Sequence, residues 1–246
     1  MTRLLVVPAA GRGSRLGGVA KALVQVNGRP MLDYLADLYA PFVSRIAVIA
    51  HPSFAAGVAQ WARTRDRVSV LEQESPTGML DAVLLASPAV RAFEPASVWI
   101  TWGDQIGVLP STLQRLAAAM DDTPPPALGL PTVMRPDPYT HFDRDASGRI
   151  VRLRQRREGD AMPAEGEGDI GVFAMTRRTY EIDLCRYAED VPPGSATGER
   201  NFVPFVAWLA SSRSVATVPC TDPREAIGIN TPAELEQIAA WLRERA

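Results

Sequence analysis

The sequence predicts an α/β fold, a mostly parallel sheet with helices on both faces. Three observations carry this. Apolar strand-like runs alternate with helical periodicities through the first half of the chain, the pattern of a parallel sheet covered on both sides. The first run, Leu4 to Val7, passes directly into a loop rich in glycine and alanine, Pro8 to Gly18. A later apolar run, Ser97 to Trp102, ends in Gly103-Asp104. That places a carboxylate at the carboxyl end of a strand, where open α/β sheets bind their ligands.

Each element follows from local pattern. Leu4 to Val7 is a short buried strand. Ala22 to Val26 is a second apolar stretch, and Asn27-Gly28 is a turn signal. Met31 to Tyr39 sets Leu32, Leu35 and Leu38 at helical spacing. Arg45 to Ala50 reads as a strand, Phe54 to Thr64 as a helix, and Val68 to Leu71 as a strand. Gly78 to Val90 reads as one helix with Leu80, Val83, Leu84 and Val90 apolar, and Leu109 to Met120 as another. After Asp121 the pattern changes. Ala127 to Val133 is a strand, and Phe142 to Asp145 with Arg149 to Leu153 form a hairpin about Ala146-Ser147-Gly148. A polar stretch, Arg156 to Gly168, precedes the strand Ile170 to Met175 and a helix near Arg177 to Leu184. Pro192 to Gly198 is loop and Phe202 to Ala210 helical, while Val215 to Val218 and Ala226 to Ile229 are short strands. Thr231-Pro232-Ala233-Glu234 supplies an N-cap, a first-turn proline and a capping-box glutamate for a last helix. The whole chain, 1–246, reads as one fold, with a nucleotide-binding first half and an acceptor-binding insertion in the second.

Composition bounds the function. The chain has 246 residues, 46% hydrophobic and 22% charged, enough for one large domain. Its 26 basic and 28 acidic side chains leave a net charge of −2, which gives no basic excess for nucleic acid. Cys185 and Cys220 have no metal or redox spacing and read as reduced thiols. With no membrane-length apolar run and no signal peptide, a cytoplasmic protein without nucleic-acid or membrane partners is expected. The sequence is compatible with a homo-oligomer but does not fix the assembly.

The loop after the first strand carries the chemistry. Gly11 and Gly13 lift the Cβ barrier to positive φ, so successive N–H groups can converge on an anion. Arg12, Arg15 and Lys21 add charge where phosphates would lie. An ordinary βα turn with surface arginines would look the same by glycine spacing alone. A P-loop is excluded because Gly-Lys-Ser/Thr is absent, and a dinucleotide fingerprint because Leu16 stands where its third glycine belongs. The decisive residue is Lys21, the only lysine in the chain. A compact ammonium with rotating donors suits a phosphate that moves during reaction.

Gly11, Gly13, Arg15, Leu16 and Lys21 resemble the Gly-x-Gly-x-Arg-Leu/Met, spacer, Pro-Lys signature of the nucleotidyltransferases that activate sugar phosphates. Ala20 replaces the proline, and the spacer is short. The resemblance implies a Rossmann-like, GT-A-like sheet and an enzyme that transfers a nucleoside monophosphate from a nucleoside triphosphate to a phosphorylated acceptor. It implies that Ala9, Ala10, Gly11, Gly13, Arg15 and Gly103 contact the nucleotide, with Arg15 and Lys21 catalytic. Asp104 and Asn230 would hold Mg²⁺ or Mn²⁺, since Mg²⁺ takes few protein ligands and several phosphate or water oxygens. On position alone Asp104 could equally be a turn or N-cap residue, and Asn230 a loop asparagine. Gln73-Glu-Ser-Pro-Thr77-Gly78 resembles the family's base-recognition loop, where a glutamine offers a donor and an acceptor to a pyrimidine edge. UTP or CTP is favoured on that ground.

The acceptor half resembles the family less. Tyr139-Thr140, Gln155 with Arg156 and Arg157, and Asp169 with Gly171 fall where the family contacts its sugar, and Gln155 is neutral where a carboxylate is usual. Strand alternation puts Val151 and Leu153 on one face, with Gln155 and Arg157 following them if the strand continues, and Arg152, Arg154 and Arg156 on the other. Alignment to the family would instead turn Arg156 inward. The expected acceptor is a sugar 1-phosphate; the alternative is a non-sugar phosphate or phosphonate used by a cytidylyltransferase. A glycosyltransferase would want an Asp-x-Asp pair, but Asp104 is followed by Gln105 and Ile106. A non-catalytic nucleotide sensor is the remaining rival, and both Lys21 and the candidate metal ligands are retained against it.

Overall fold

The computed structural model describes residues 1–11, 16, 20–75 and 77–245. In the first half β1 (Arg3–Ala9) is followed by the small hairpin β2 (Gln25–Val26) and β3 (Arg29–Pro30), then α1 (Met31–Tyr39), β4 (Arg45–Ala50), α2 (Pro52–Ala62) and β5 (Val68–Glu72). Two helices, α3 (Met79–Leu84) and α4 (Ser87–Phe93), lead to β6 (Ser97–Thr101) and α5 (Pro110–Met120). The second half contains β7 (Leu128–Pro136), the hairpin β8 (Thr140–Arg144) and β9 (Ile150–Gln155), then β10 (Glu165–Asp169) and β11 (Val172–Thr176). It closes with α6 (Leu184–Asp190), α7 (Pro204–Ala210), β12 (Val215–Pro219) and α8 (Pro232–Glu244).

The main sheet has eight strands in the order β10-β7-β11-β6-β1-β4-β5, with β12 pairing parallel to β7. β4, β5 and β6 run parallel with β1, whereas β11 pairs antiparallel to β6 and β7, and β10 antiparallel to β7. Strands from both halves of the sequence thus share one sheet. The chain steps from β1 outward through β4 to β5 and then returns to the opposite side of β1 as β6. The crevice beyond the carboxyl ends of β1 and β6 is therefore the topological switch point, where such sheets bind ligands.

Strand alternation builds a core on each face. Every residue of β1 is buried. Leu5 and Val7 join Val48, Trp99, Leu113 and Ile238 on one face, and Leu4 and Val6 join Ile49, Ile100, Leu80 and Phe205 on the other. This is why the strand reads as a continuous apolar run instead of an alternating one.

Four element boundaries depart from expectation. The single helix over 78–90 is two, because Pro88 lacks the N–H and clashes with the turn before it; the Ser87 hydroxyl donates to the Leu84 carbonyl at 2.6 Å across the break. The polar stretch 156–168 contains β10, whose sequence Glu-Gly-Glu-Gly-Asp shows no apolar alternation. Gly166 and Gly168 make it possible, since a Cβ there would lie 2.5 Å from His141 Nδ1 or the Thr140 carbonyl of β8. Residues 226–229 form no strand; the Asp222–Glu225 capping box coils Pro223–Ala226 into a 3-10 turn instead. The helix after Arg177 begins as a π turn, Thr179–Asp183, and continues to Asp190. The Asn27-Gly28 turn has positive φ at both residues, 48° and 79°, as a tight hairpin requires. Burial raises the pKa of the Cys185 thiol and pushes that of Cys220 up to about 12, so both stay protonated.

Candidate functional site

Three parts of the chain meet at the switch point. Ala9 ends β1 and is buried, and Ala10 and Gly11 follow it. Lys21 begins a 3-10 turn anchored in the core by buried Ala22. Its stem passes Gly11, where a Cβ would lie 3.8 Å from Lys21 Cδ. At the end of β6, Gly103 N–H donates to the Pro8 carbonyl at 3.3 Å, and a Cβ at 103 would sit 3.2 Å from that oxygen. Glycine here draws the ends of β1 and β6 together and turns Asp104 into the crevice.

The Lys21 ammonium donates to Asp104 Oδ2 and, at 2.7 Å, to Asn230 Oδ1. Its partners lie 83 and 209 residues away in sequence. The Lys21 and Asp104 side chains keep only 20% and 14% of their exposure, so this ion pair is screened less than a surface one. Asn230 is oriented by what surrounds it. Its Nδ2 donates to the Gly228 carbonyl at 3.0 Å, which points Oδ1 at Lys21, and its N–H donates to Glu234 at 2.8 Å. The same glutamate closes the capping box of α8 with Thr231. Gly228 lets this segment press on Asp104, since a Cβ would lie 3.2 Å from Oδ2.

Glu225 is a residue that the sequence reading missed. It is fully buried, and its carboxylate accepts from Leu109 N–H at 2.9 Å and Thr221 N–H at 3.2 Å. It thereby joins the segment after Asp104 to the segment before Asn230. Its signal was present, in the Asp-Pro-Arg-Glu capping pattern of residues 222–225.

The candidate base loop follows β5. Gln73 is buried, and its Nε2 donates to the Gly78 carbonyl at 3.2 Å. Gly78 has φ 129°, and a Cβ there would come within 2.4 Å of the Arg200 carbonyl. The room that glycine leaves is therefore filled by the Arg200 backbone, which accepts from Leu80 N–H at 3.0 Å and donates to the Thr77 carbonyl at 2.8 Å. The Arg200 guanidinium pairs with Asp81.

In the second half, Thr140 and Asp169 come together where β8 meets β10. Thr140 Oγ1 and Gly171 N–H each donate to Asp169 at 2.8 Å. Burial raises the Asp169 pKa, and these hydrogen bonds oppose the rise. Gly171 has φ 75° and faces Trp102, whose N–H donates to its carbonyl at 3.0 Å. The Asp169–Gly171 turn thus braces the residues just before Asp104. Gln155 is buried, and its side-chain amide makes no hydrogen bond among the described residues.

The arginine cluster corrects the alternation expected from sequence. β9 ends at Gln155, and Arg156–Glu158 form a 3-10 turn, so Arg157 does not continue the strand face. A bulge opposite Asp143/Arg144 also leaves Val151 half-exposed. Arg156 is exposed and pairs with Asp137 and the Pro138 carbonyl. Arg157 pairs with Asn201 and, at 3.2 Å, with Glu199. Glu158 accepts from Thr197, Asn201 and the Ala196 N–H, which hold its pKa down at about 2. The expected phosphate contacts Gly13 and Arg15 lie outside the described residues.

A model of the MobA-like NTP transferase domain matches residues 5–168. Two bacterial proteins called bifunctional protein GlmU are similar over nearly the whole chain. The one from Pelotomaculum thermopropionicum is 30% identical over 249 residues, covering 98% of this chain and 52% of the relative. The one from Sorangium cellulosum is 32% identical over 241 residues, covering 94% and 50%. The chain therefore spans about half the length of these relatives. Among solved structures, a chain assigned as a glucose-1-phosphate thymidylyltransferase from Bacillus anthracis superposes with a TM-score of 0.76 at 14% identity, covering 99% and 96% of the two chains. The inositol-1-phosphate CTP transferase from T. maritima does so with 0.73 at 18%, covering 99% and 97%. These two establish the fold. Among the described residues no helix is long and apolar enough to cross a membrane. The chain belongs to the family of MobA-like NTP transferase domains.

Proposed function

We propose that this chain transfers a nucleoside monophosphate from UTP or CTP to a phosphorylated small molecule, a sugar 1-phosphate first among them, and releases pyrophosphate. The observation that carries the reading is the convergence of Lys21, Asp104 and Asn230 at the switch point of the sheet. Family membership and the names of the similar proteins support it.

An acceptor phosphate oxygen attacks the α-phosphorus, the bond to the β-phosphate oxygen breaks, and pyrophosphate leaves. Such transfer needs positioning and charge neutralisation more than covalent help. No general base is required, because a phosphate monoester is already an anion at neutral pH. The amides after Ala9, Ala10 and Gly11, with Gly13 and Arg15, hold the β- and γ-phosphates. Lys21 spans the α-phosphate and the incoming phosphate. Gln73, Thr77 and Gly78 hold the base, and with its Nε2 engaged on Gly78, Gln73 has its Oε1 left to accept from it. Gly103 lies against the nucleotide. Thr140, Gln155 and the Asp169–Gly171 turn line the acceptor side, and Arg156 and Arg157 frame its rim.

Asp104 and Asn230 present a carboxylate and an amide oxygen, both hard donors. Among the described residues no cluster of three or more His, Cys, Asp or Glu could cage an ion. This suits Mg²⁺ or Mn²⁺, whose remaining ligands come from phosphates and water. When bound, the ion supplies charge neutralisation at the α-phosphate. We place the protein in the cytosol, where both its thiols stay reduced.

The test is a matrix of the common triphosphates against phosphorylated sugars, polyols and phosphonates, read by pyrophosphate release. One triphosphate with one acceptor class should stand out. Release by no pair would refute the reading.

A further inference from the structure

The Lys21 ammonium occupies the same two oxygen atoms, Asp104 Oδ2 and Asn230 Oδ1, that are proposed to ligate the divalent ion. The Asn230 amide is held by its Nδ2 on Gly228, and Asp104 Oδ2 lies 3.2 Å from where a Cβ on Gly228 would stand. Two cations cannot share this pair at contact distance, because their repulsion in a partly buried site is strong. The mobile member is Lys21, a flexible stem carrying a point charge. It runs past Gly11, which offers no side chain to hold it in place.

We infer that Lys21 is a resident cation of the metal site: it neutralises Asp104 and orders Asn230 until a divalent ion arrives, and the ion's entry expels its ammonium toward the phosphates. The inference rests on the proposed ligand role of Asp104 and Asn230. Binding of the ion and release of the lysine are then one event. The free protein binds metal weakly, and the charge that meets the phosphates is delivered only when metal is present. A surface lysine would not behave this way. Neither would one fixed permanently on the phosphate loop.

The test uses the whole purified chain without nucleotide, with Mn²⁺ as the probe and its binding followed by electron paramagnetic resonance. Lys21→Met should bind Mn²⁺ at least about tenfold more tightly than wild type, since the competing charge is gone. Lys21→Met combined with Asp104→Asn should lose that gain. Equal or weaker binding by Lys21→Met would overturn the inference. If Lys21→Met does not fold, the wild type decides the matter. Lys21 is the only lysine, so an amine-acylating reagent reads it directly, with the terminal amine as control. Excess Mn²⁺ should raise its labelling severalfold against that control, and unchanged or reduced labelling would overturn the inference. Pyrophosphate release is measured separately. Absence of release by the wild type, together with tighter Mn²⁺ binding by Lys21→Met, would count against the proposed function alone; release by the wild type with unchanged Mn²⁺ binding by Lys21→Met would count against the exchange alone.

Discussion

Lys21 and Asp104, 83 residues apart in sequence, form a partly buried ion pair at the crevice between β1 and β6. Two glycines make it possible. Gly103 brings the strand ends together, and Gly228 brings the Asn230 segment onto the same carboxylate. The pair joins the anion-binding loop to the proposed metal ligands, so the following expectations centre on it.

Lys21→Ala should lower turnover roughly 10²–10³-fold, the loss typical of one preorganised charge at a transferring group. Circular dichroism should show the fold intact. Near-normal pyrophosphate release by the purified variant would remove Lys21 from the chemistry.

Asp104→Ala should raise the Mg²⁺ or Mn²⁺ concentration needed for half-maximal rate by at least about tenfold, since even outer partners of metal sites cost that much. Wild-type activity should vanish in excess chelator and return with added metal. Full activity in chelator would contradict the metal role.

Glu225→Ala should destabilise the fold by roughly 2–3 kcal/mol, because it strands buried N–H groups that now bond to a carboxylate. Urea unfolding should show a lower midpoint with an unchanged slope. An unshifted midpoint would mean that the Leu109 and Thr221 contacts carry no net stability.

Glu158 gives a pH dependence. Its hydrogen bonds, the Thr197 hydroxyl first, lower its pKa from 4.5 to about 2 in the folded protein. Its contribution is therefore complete above about pH 4.5 and is lost as pH falls toward 2. Amide exchange at Ala196, whose N–H donates to Glu158 at 3.0 Å, should accelerate relative to the intrinsic rate across that window. In Glu158→Gln the acceleration should be absent; if it persists there, another group is responsible.

The parts of this site legible in sequence are those with local signals. Gly103-Asp104 lies at the end of an apolar run, Lys21 follows a glycine loop, and Asn230 precedes a capping box. Each could be placed at a strand or helix end without knowing its partners. Arg200 and Asn201 had no such signal. Arg200 meets Asp81 across 119 residues, and Asn201 meets Arg157 across 44, in contacts that only the closed sheet creates. β10 was illegible for a different reason. Its place is set by two glycines against β8 and not by apolar side chains, so periodicity had nothing to register. The fate of the arginines also depended on long-range partners, because only the folded chain reveals Asp137 and Glu199 beside them.

Transfer at the α-phosphorus is followed by phosphorus-31 magnetic resonance of the reaction with the best triphosphate and acceptor. Two products should appear in equal amount: pyrophosphate, and a diphosphate linking the nucleoside to the acceptor, with one phosphorus from each substrate. Both should form roughly 10²–10³-fold more slowly in Lys21→Ala. Orthophosphate with nucleoside diphosphate, or an unchanged spectrum despite bound nucleotide, would contradict such transfer.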